Sequence, residues 1–241
     1  MNKLLLLLTA VCVGLAVTAK SDATDAQVRK ILYRATQYID DPDGGPGDVG
    51  YAIRLTGCDT NRVVSLMKQL IVEGTEDVET TMFYISEIGK YGTSDDLPFL
   101  YSKVAVSNLC EISVMSILRI EGVSTGSVAR ICALLPKDNP SNRCVVASWV
   151  TLAAEVRDKC SDAGARSLMV SNAVEYASRQ NVFSDRIDQS VIRLDPSYRM
   201  SRRRLNVLRS ITNIGVHPSW TNYVTNAINE LVAYPEADLP E

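Results

Sequence analysis

Apolar side chains at helical spacing, repeated along nearly the whole chain, are the feature that most restricts the fold. Such residues recur at positions i, i+3, i+4 and i+7, as in Val63, Leu66, Met67 and Leu70, or Val128, Ile131, Cys132 and Leu135. No comparable run alternates with the period of two that a half-buried strand needs. Aromatic residues make up only 6% of the 241 residues, which also favours packed helices. The sequence therefore predicts an all-α protein.

Short breaks divide this pattern into helices. Glycines that can end a helix and hydroxyl residues that can cap the next one stand between the apolar stripes. Connections this short make consecutive helices neighbours in space. We predict helices at residues 25–39, 60–73, 76–89, 95–106, 109–121, 125–135, 142–157, 163–179, 184–194, 198–214 and 219–233.

An internal repeat is visible in this helical pattern. The string from Ile85 to Gly89 returns loosely at Ile117 to Gly122 and again at Ile211 to Gly215, which are 32 and 126 residues further on. These offsets are nearly one and four times a common repeat length. Further copies are therefore expected near 149–153 and 174–178. A period of this size is typical of helical repeat proteins.

The stretch from residue 85 to residue 122 resembles a known family. Ile88-Gly89-Lys90-Tyr91-Gly92, followed by Asp95-Asp96-Leu97-Pro98-Phe99-Leu100, is similar to the helix end, glycine, acidic turn and Leu-Pro helix start of the HEAT-like repeats in phycobilisome-lyase-type and armadillo-like proteins. This resemblance implies a right-handed superhelical solenoid of antiparallel helix pairs. It also implies a scaffold for protein contacts, and it supplies no catalytic residues.

The first nineteen residues have the pattern of an export signal. Lys3 is followed by an apolar stretch from Leu4, and Val17-Thr18-Ala19 offers small residues for cleavage after Ala19. A membrane anchor is the alternative, but this stretch is shorter than the ~20 residues of a spanning helix. No later segment is long and apolar enough to span a membrane. We therefore expect residues 1–19 to be removed and the protein to be periplasmic or secreted.

Three segments follow the signal. Residues 20–58 contain one helix and the Asp-, Gly- and Pro-rich loop from Asp40 to Asp48, residues 59–234 form about five irregular HEAT-like units, and residues 235–241 are a polar tail that we expect to fray. The aspartates of the loop could suggest calcium. An EF-hand loop ends in a glutamate, however, and this loop has two prolines and no glutamate.

Residues that would support catalysis or bind a cofactor are scarce. His217 is the only histidine, and no C-x-x-C motif occurs. Strings that match G-x-S-x-G and G-x-G-x-x-G in letters stand at residues 122–126 and 45–50, but no strand is predicted before either, as a nucleophile turn or a dinucleotide-binding loop requires. Loss of Lys3 would leave 24 basic against 28 acidic residues, a balance that argues against nucleic acid as a partner. We expect neither an enzyme nor a bound metal or cofactor.

A cluster of arginines is the candidate binding surface. Arg199 and Arg203 are one helical turn apart, as Arg202 and Arg209 are two. Together with nearby aromatic residues they could bind an acidic protein, an anionic glycan or phosphate. The alternative is a solvent-facing helix surface partly neutralised by Asp185, Asp188 and Asp195. The candidate residues are Arg199, Arg202, Arg203, Arg209, Trp220 and Tyr223.

Five cysteines remain after signal removal, an odd number. Cys132 and Cys144 lie about one turn from the facing ends of two consecutive helices, so we predict a disulfide between them. The alternative is that both are small buried apolar residues.

Two functions remain from the sequence alone. The first is an exported, non-catalytic scaffold that binds a protein or another ligand. The second is a hydrolase or lyase whose site lies in the concave side of the solenoid, which would need converging polar groups.

Overall fold

The computed structural model describes residues 24–36, 49–50, 53, 57–136, 143–179, 185–214 and 218–240. All of its regular structure in these ranges is helical, which confirms the predicted all-α class. The predicted signal at residues 1–19, the loop from Asp40 to Asp48 and His217 lie outside the described residues. The α-helices are α1 (Asp25–Thr36), α2 (Thr60–Glu73), α3 (Val78–Tyr91), α4 (Leu97–Val104), α5 (Cys110–Glu121), α6 (Thr125–Leu134), α7 (Arg143–Lys159), α8 (Ala163–Arg179), α9 (Asp185–Leu194), α10 (Arg202–Ile214) and α11 (Thr221–Val232).

The predicted helices are confirmed with ends that differ by a few residues. The largest change is before α10, where Pro196–Met200 forms a separate 3₁₀ turn because Asp195 caps it by accepting from the Ser197 amide. Pro98 lies in the first turn of α4, where its missing amide costs little. No described helix is long and apolar enough to cross a bilayer.

The chain divides into two compact units, Met1–Glu76 and Asp77–Glu241. In the first unit α1 contacts α2. Arg62 Nη2 lies 2.7 Å from Asp25 Oδ1, and Arg29 Nη1 lies 2.8 Å from Glu73 Oε2. Val28 and Leu32 of α1 and Val63 and Met67 of α2 are fully buried, so an apolar core stands beneath these surface ion pairs.

In the second unit the helices pack in two rows. α3, α5, α7 and α9 follow one another in the first row, and α4, α6, α8 and α10 follow one another in the second. Each helix therefore contacts the helix two positions along the chain. Contacts of α4 with α5 and of α8 with α7 and α9 join the rows. α11 packs against α10 at the end of the chain.

The 32-residue spacing corresponds to this arrangement for its first three positions. Ile85, Ile117 and Trp149 are all buried, and they lie on α3, α5 and α7 of the first row. Ile211, by contrast, lies on α10 in the second row. The copy of the string at Ile211 to Gly215 therefore does not continue the structural repeat of the first row.

Gly89 does not end its helix as the sequence predicts. α3 continues to Tyr91, and the amide of Gly92 still donates to the Ile88 carbonyl. Gly89 instead faces Ser116 of α5, where a β-carbon would stand 2.5 Å from Ser116 Cβ. Ser116 Oγ donates to the Ile85 carbonyl at 2.9 Å. A glycine at this position therefore permits close approach of two helices.

Candidate functional site

The arginine-rich segment from 199 to 209 is divided among three environments. Arg204, which is absent from the predicted patch, is only 2% exposed. Arg199 and Arg209 are on the surface, each beside a glutamate, and Arg203 is exposed. The buried arginine is the starting point for the site.

Arg204 forms a buried ion pair with Asp188 of α9. Its Nη2 lies 2.9 Å from Asp188 Oδ2 and its Nε lies 3.1 Å from the same oxygen. The Arg204 Nη1 donates to the carbonyl of Arg199 at 2.9 Å. Burial opposes ionisation of Arg204, but its hydrogen bonds to Asp188 and the charge of that carboxylate leave the pKa of the guanidinium above its usual value. Arg204 therefore stays charged, and both side chains have hydrogen-bond partners.

Tyr223 of α11 completes this buried network. Its hydroxyl donates to Asp188 Oδ2 at 2.6 Å and accepts from Gln189 Nε2 at 2.6 Å. Burial, together with the hydrogen bond to Asp188, raises the pKa of Tyr223 to about 12. Burial also raises the pKa of nearby Tyr198, which Asp188 increases further. Both phenols therefore remain protonated at neutral pH.

A cleft of about 290 Å³ lies over this network, between α9, the 3₁₀ turn and α11. Arg199 Nη2 lies 2.7 Å from Glu230 Oε1 at its rim, and this pair is largely exposed to solvent. The amides of Gln189 and Asn226 and the apolar side chains of Ile192 and Ala227 form most of the remaining lining of the cleft. The lining residues are Gln189, Ile192, Arg199, Arg204, Tyr223, Asn226, Ala227 and Glu230.

The chemistry of this cleft is that of hydrogen bonding. Its base is a neutralised ion pair held in place by a tyrosine, and the amides of Gln189 and Asn226 supply further donors and acceptors. Polar groups fixed in this way need little rearrangement when a ligand binds. Charge is accessible at the rim, through Arg199 and Glu230.

A larger groove of about 470 Å³ adjoins the cleft and shares the Arg199 and Glu230 side chains with it. Met200 and Tyr234 line its other parts, and its remaining wall consists of residues 238–240. The tail expected to fray instead folds onto the protein. Leu239 is only 4% exposed, and the Pro240 carbonyl accepts from the Arg202 amide at 2.7 Å.

The predicted patch residues thus fall in separate places. Arg199 and Tyr223 line the cleft, whereas Arg202 and Arg209 contact the tail. Trp220 is partly exposed at the start of α11. The structure does not gather these six residues on one surface, and anion binding through them stays a prediction.

Sequence reasoning missed Asp188, Gln189, Asn226 and Glu230. A signal for Asp188 was present, because it stands beside Ile187 and three residues before Val191, on the apolar side of α9. A carboxylate in such a position is buried only with a partner. The sequence did not reveal that the partner is Arg204, 16 residues further on.

The cysteines of the predicted disulfide lie on consecutive helices, Cys132 on α6 and Cys144 on α7. Between them, residues 137–142 are outside the described ranges, and the bridge stays a prediction. Ser148 Oγ lies 2.9 Å from Cys110 Sγ and donates to the Cys144 carbonyl. Burial raises the pKa of the Cys110 thiol, which lowers its reactivity at neutral pH.

In the ranges that the structure describes, no three His, Cys, Asp or Glu residues are placed to hold a metal ion. No family model matches the chain, and neither a curated protein nor a solved structure matches it. The site is therefore interpreted from its own geometry.

Proposed function

We propose that this chain is an exported, non-catalytic helical-repeat scaffold of the HEAT-like type that binds a protein or a small polar ligand through the cleft. The observation that carries the proposal is the cleft itself, in which exposed polar groups stand over the buried Asp188–Arg204 pair and the half-buried Tyr223 that binds it. The packing of helices in two rows supports a solenoid, because repeats of this kind contact mainly their neighbours.

The fixed base of the cleft favours recognition. The Tyr223 hydroxyl is held by its hydrogen bonds to Asp188 and from Gln189, so the position of these groups is set before a ligand binds. The rim supplies one positive and one negative group, Arg199 and Glu230, that can exchange their mutual contact for contacts with a ligand. An exposed ion pair of this type is weak, about 0–1 kcal/mol, so this exchange costs little.

Binding can be tested by filling the cleft. The purified mature chain is titrated with a panel of glycans and with envelope proteins, and the Asn226→Trp variant is compared with Asn222→Trp. Asn226 lines the cleft, whereas Asn222 is an exposed asparagine one turn earlier on α11. We expect saturable binding that only Asn226→Trp abolishes. Binding unaffected by Asn226→Trp, or chemical turnover of a bound compound, would overturn the proposal.

Export has its own test. Mass spectrometry of the mature protein should show an N-terminus at Lys20, as cleavage after Ala19 requires. An intact Met1 on the protein in the cytoplasm would contradict export and leave the binding proposal to be judged separately.

A further inference from the structure

The last residues of the chain are bound to its surface in the manner of a peptide ligand. We call residues Pro235–Pro240 the C-terminal strap. A single 3₁₀ turn at Glu236–Asp238 shapes the strap. Since a 3₁₀ helix has three residues per turn, the side chains of Glu236 and Leu239 point to the same side.

Three kinds of contact hold the strap. Glu236 Oε2 lies 3.0 Å from Arg209 Nη1, and the side chain of Leu239 is buried. Backbone contacts follow, because the Pro240 carbonyl accepts from the Arg202 amide at 2.7 Å and the Leu239 carbonyl from Arg202 Nη2 at 3.5 Å. Charge, an apolar anchor and main-chain hydrogen bonds are the elements by which proteins recognise short peptides.

The Arg202 contact has a structural reason. Arg202 is the first residue of α10, and the amides of a first helical turn have no partner within the helix. Ser201 Oγ accepts from the Arg204 amide at 3.1 Å, and the strap supplies the acceptor for Arg202. The groove beside Leu239, lined by Met200 and Tyr234, extends the surface beyond the strap.

We propose that this surface is a binding site for short peptides that carry an acidic residue three positions before a Leu-Pro pair, and that the strap occupies the site in cis. The acidic residue pairs with Arg209, the leucine fills the position of Leu239, and the carbonyls of the Leu-Pro pair contact Arg202. This site adjoins the cleft but uses other contacts, those of Arg202, Arg209 and the pocket of Leu239.

A tethered strap competes strongly with a free peptide. An intramolecular segment has an effective concentration on the order of millimolar, so a peptide with a dissociation constant of about 100 µM would bind the wild-type chain about tenfold more weakly. Substitutions within the strap of the full-length chain should remove this competition.

The test uses a fluorescein-labelled peptide with the sequence of residues 233–241. It is titrated into the wild-type chain and into the full-length Glu236→Lys/Leu239→Asp variant, with fluorescence anisotropy as the readout. We expect saturable binding to the variant and binding at least about tenfold weaker to the wild type. A peptide carrying Leu239→Asp should not bind, and Arg209→Glu in the variant should weaken the original peptide.

Charge exchange provides the matched control. A peptide carrying Glu236→Lys should regain binding to the variant that also contains Arg209→Glu, because the pair is re-formed with reversed signs. Absence of peptide binding to a strap variant that keeps wild-type circular dichroism would overturn the proposal, as would equal binding of the Leu239→Asp peptide.

A second measurement avoids dependence on the folding of the variant. A millimolar excess of the peptide with a nitroxide at its N-terminus is added to the isotope-labelled wild-type chain. Exchange with the strap should broaden the amide resonance of Arg202, and the Leu239→Asp peptide should not. No broadening at this concentration would refute exchange.

Discussion

Gly89 of α3 lies so close to Ser116 of α5 that a β-carbon on the glycine would stand 2.5 Å from Ser116 Cβ and 2.6 Å from Ser116 Cα. Because one of these atoms is backbone, a rotamer change cannot relieve the contact. We expect Gly89→Ala to lower the free energy of unfolding by about 1–3 kcal/mol, the usual cost of overpacking. Urea denaturation followed by circular dichroism measures the change.

Gly126 of α6 is the matched control. Its φ is not positive, and the nearest atom to an added β-carbon is Ser124 Oγ at 3.8 Å. Gly126→Ala should therefore be neutral or stabilise the protein by up to about 1 kcal/mol, because alanine is the better helix former. Equal effects at the two glycines would contradict the close helix contact.

Loss of one member of the buried ion pair should be strongly destabilising. Asp188→Asn leaves the guanidinium of Arg204, which is 2% exposed, without its counter-charge. The expected loss is about 3–5 kcal/mol. Thermal denaturation of the purified variants gives this value.

Two controls separate the burial of the pair from the loss of a charge. Asp158→Asn removes the partner of a surface arginine and should change stability little. The double replacement Asp188→Leu/Arg204→Met removes both charges from the interior and should be less destabilising than Asp188→Asn. A single replacement as harmless as Asp158→Asn would show that the pair is hydrated.

Two tyrosines, the buried Tyr176 and the half-buried Tyr223, should respond in opposite ways to loss of the hydroxyl. Tyr176 stacks on Trp149, with ring centroids 5.1 Å apart, and its Oη has no hydrogen-bond partner among the described residues. Tyr176→Phe should stabilise the protein by about 1 kcal/mol, since an unsatisfied buried hydroxyl is costly. Tyr223→Phe should destabilise it by about 1–3 kcal/mol, because the hydrogen bonds of the hydroxyl with Asp188, Gln189 and Arg204 are lost. Urea titrations of both variants measure the two changes in the free energy of unfolding. Changes of the same sign would contradict the hydrogen-bond network of Tyr223.

Stability should fall at alkaline pH. Burial raises the pKa of Tyr176 and, with Asp188, that of Tyr223 to about 12, from the ordinary 10.0. Above pH 10 the unfolded chain has released these protons while the folded chain still holds them, so the free energy of unfolding decreases as pH rises from about 10 to 12. Unfolding titrations at several pH values measure the slope, and tyrosinate absorbance follows the ionisation. The slope should be smaller for Tyr223→Phe.

The predicted disulfide between Cys132 and Cys144 has a direct test in protein recovered from the periplasm or the growth medium. Non-reducing peptide mapping should recover the two residues in one cross-linked fragment, with a contribution to stability of about 2–3 kcal/mol from the short loop. Recovery as separate thiols would exclude the bridge. A cross-linked fragment that contains Cys144 and Cys110 would instead indicate a bridge between α5 and α7, where Ser148 contacts both residues.

The sequence predicted the helices well because their signal is local. Stripes such as Val63, Leu66, Met67 and Leu70 report both the period of an α-helix and its buried face, and the structure buries all four. The meaning of Gly89 was missed for the opposite reason. A glycine near a helix end has the same local pattern whether it stops the helix or admits a neighbour, and only the position of Ser116 distinguishes the two.

The candidate site was predicted only in part. The arginine cluster lies on α10 and on the 3₁₀ turn before it, but the sequence did not indicate which arginine is buried. Asp188 was interpreted as one of several neutralising surface aspartates, whereas the structure places it beneath the cleft. Its pairing with Arg204 and Tyr223 depends on how three helices are placed, and this is set by packing rather than by spacing along one helix.

The two rows of the second unit bear on how the chain folds. Each helix of a row contacts the helix that follows after one intervening helix, so most tertiary contacts join segments close in sequence. Proteins of low contact order fold rapidly, because few long loops must close before contacts form. We therefore expect folding to begin at neighbouring pairs of helices and to spread along the rows, in an order set by local stability rather than by a meeting of distant segments.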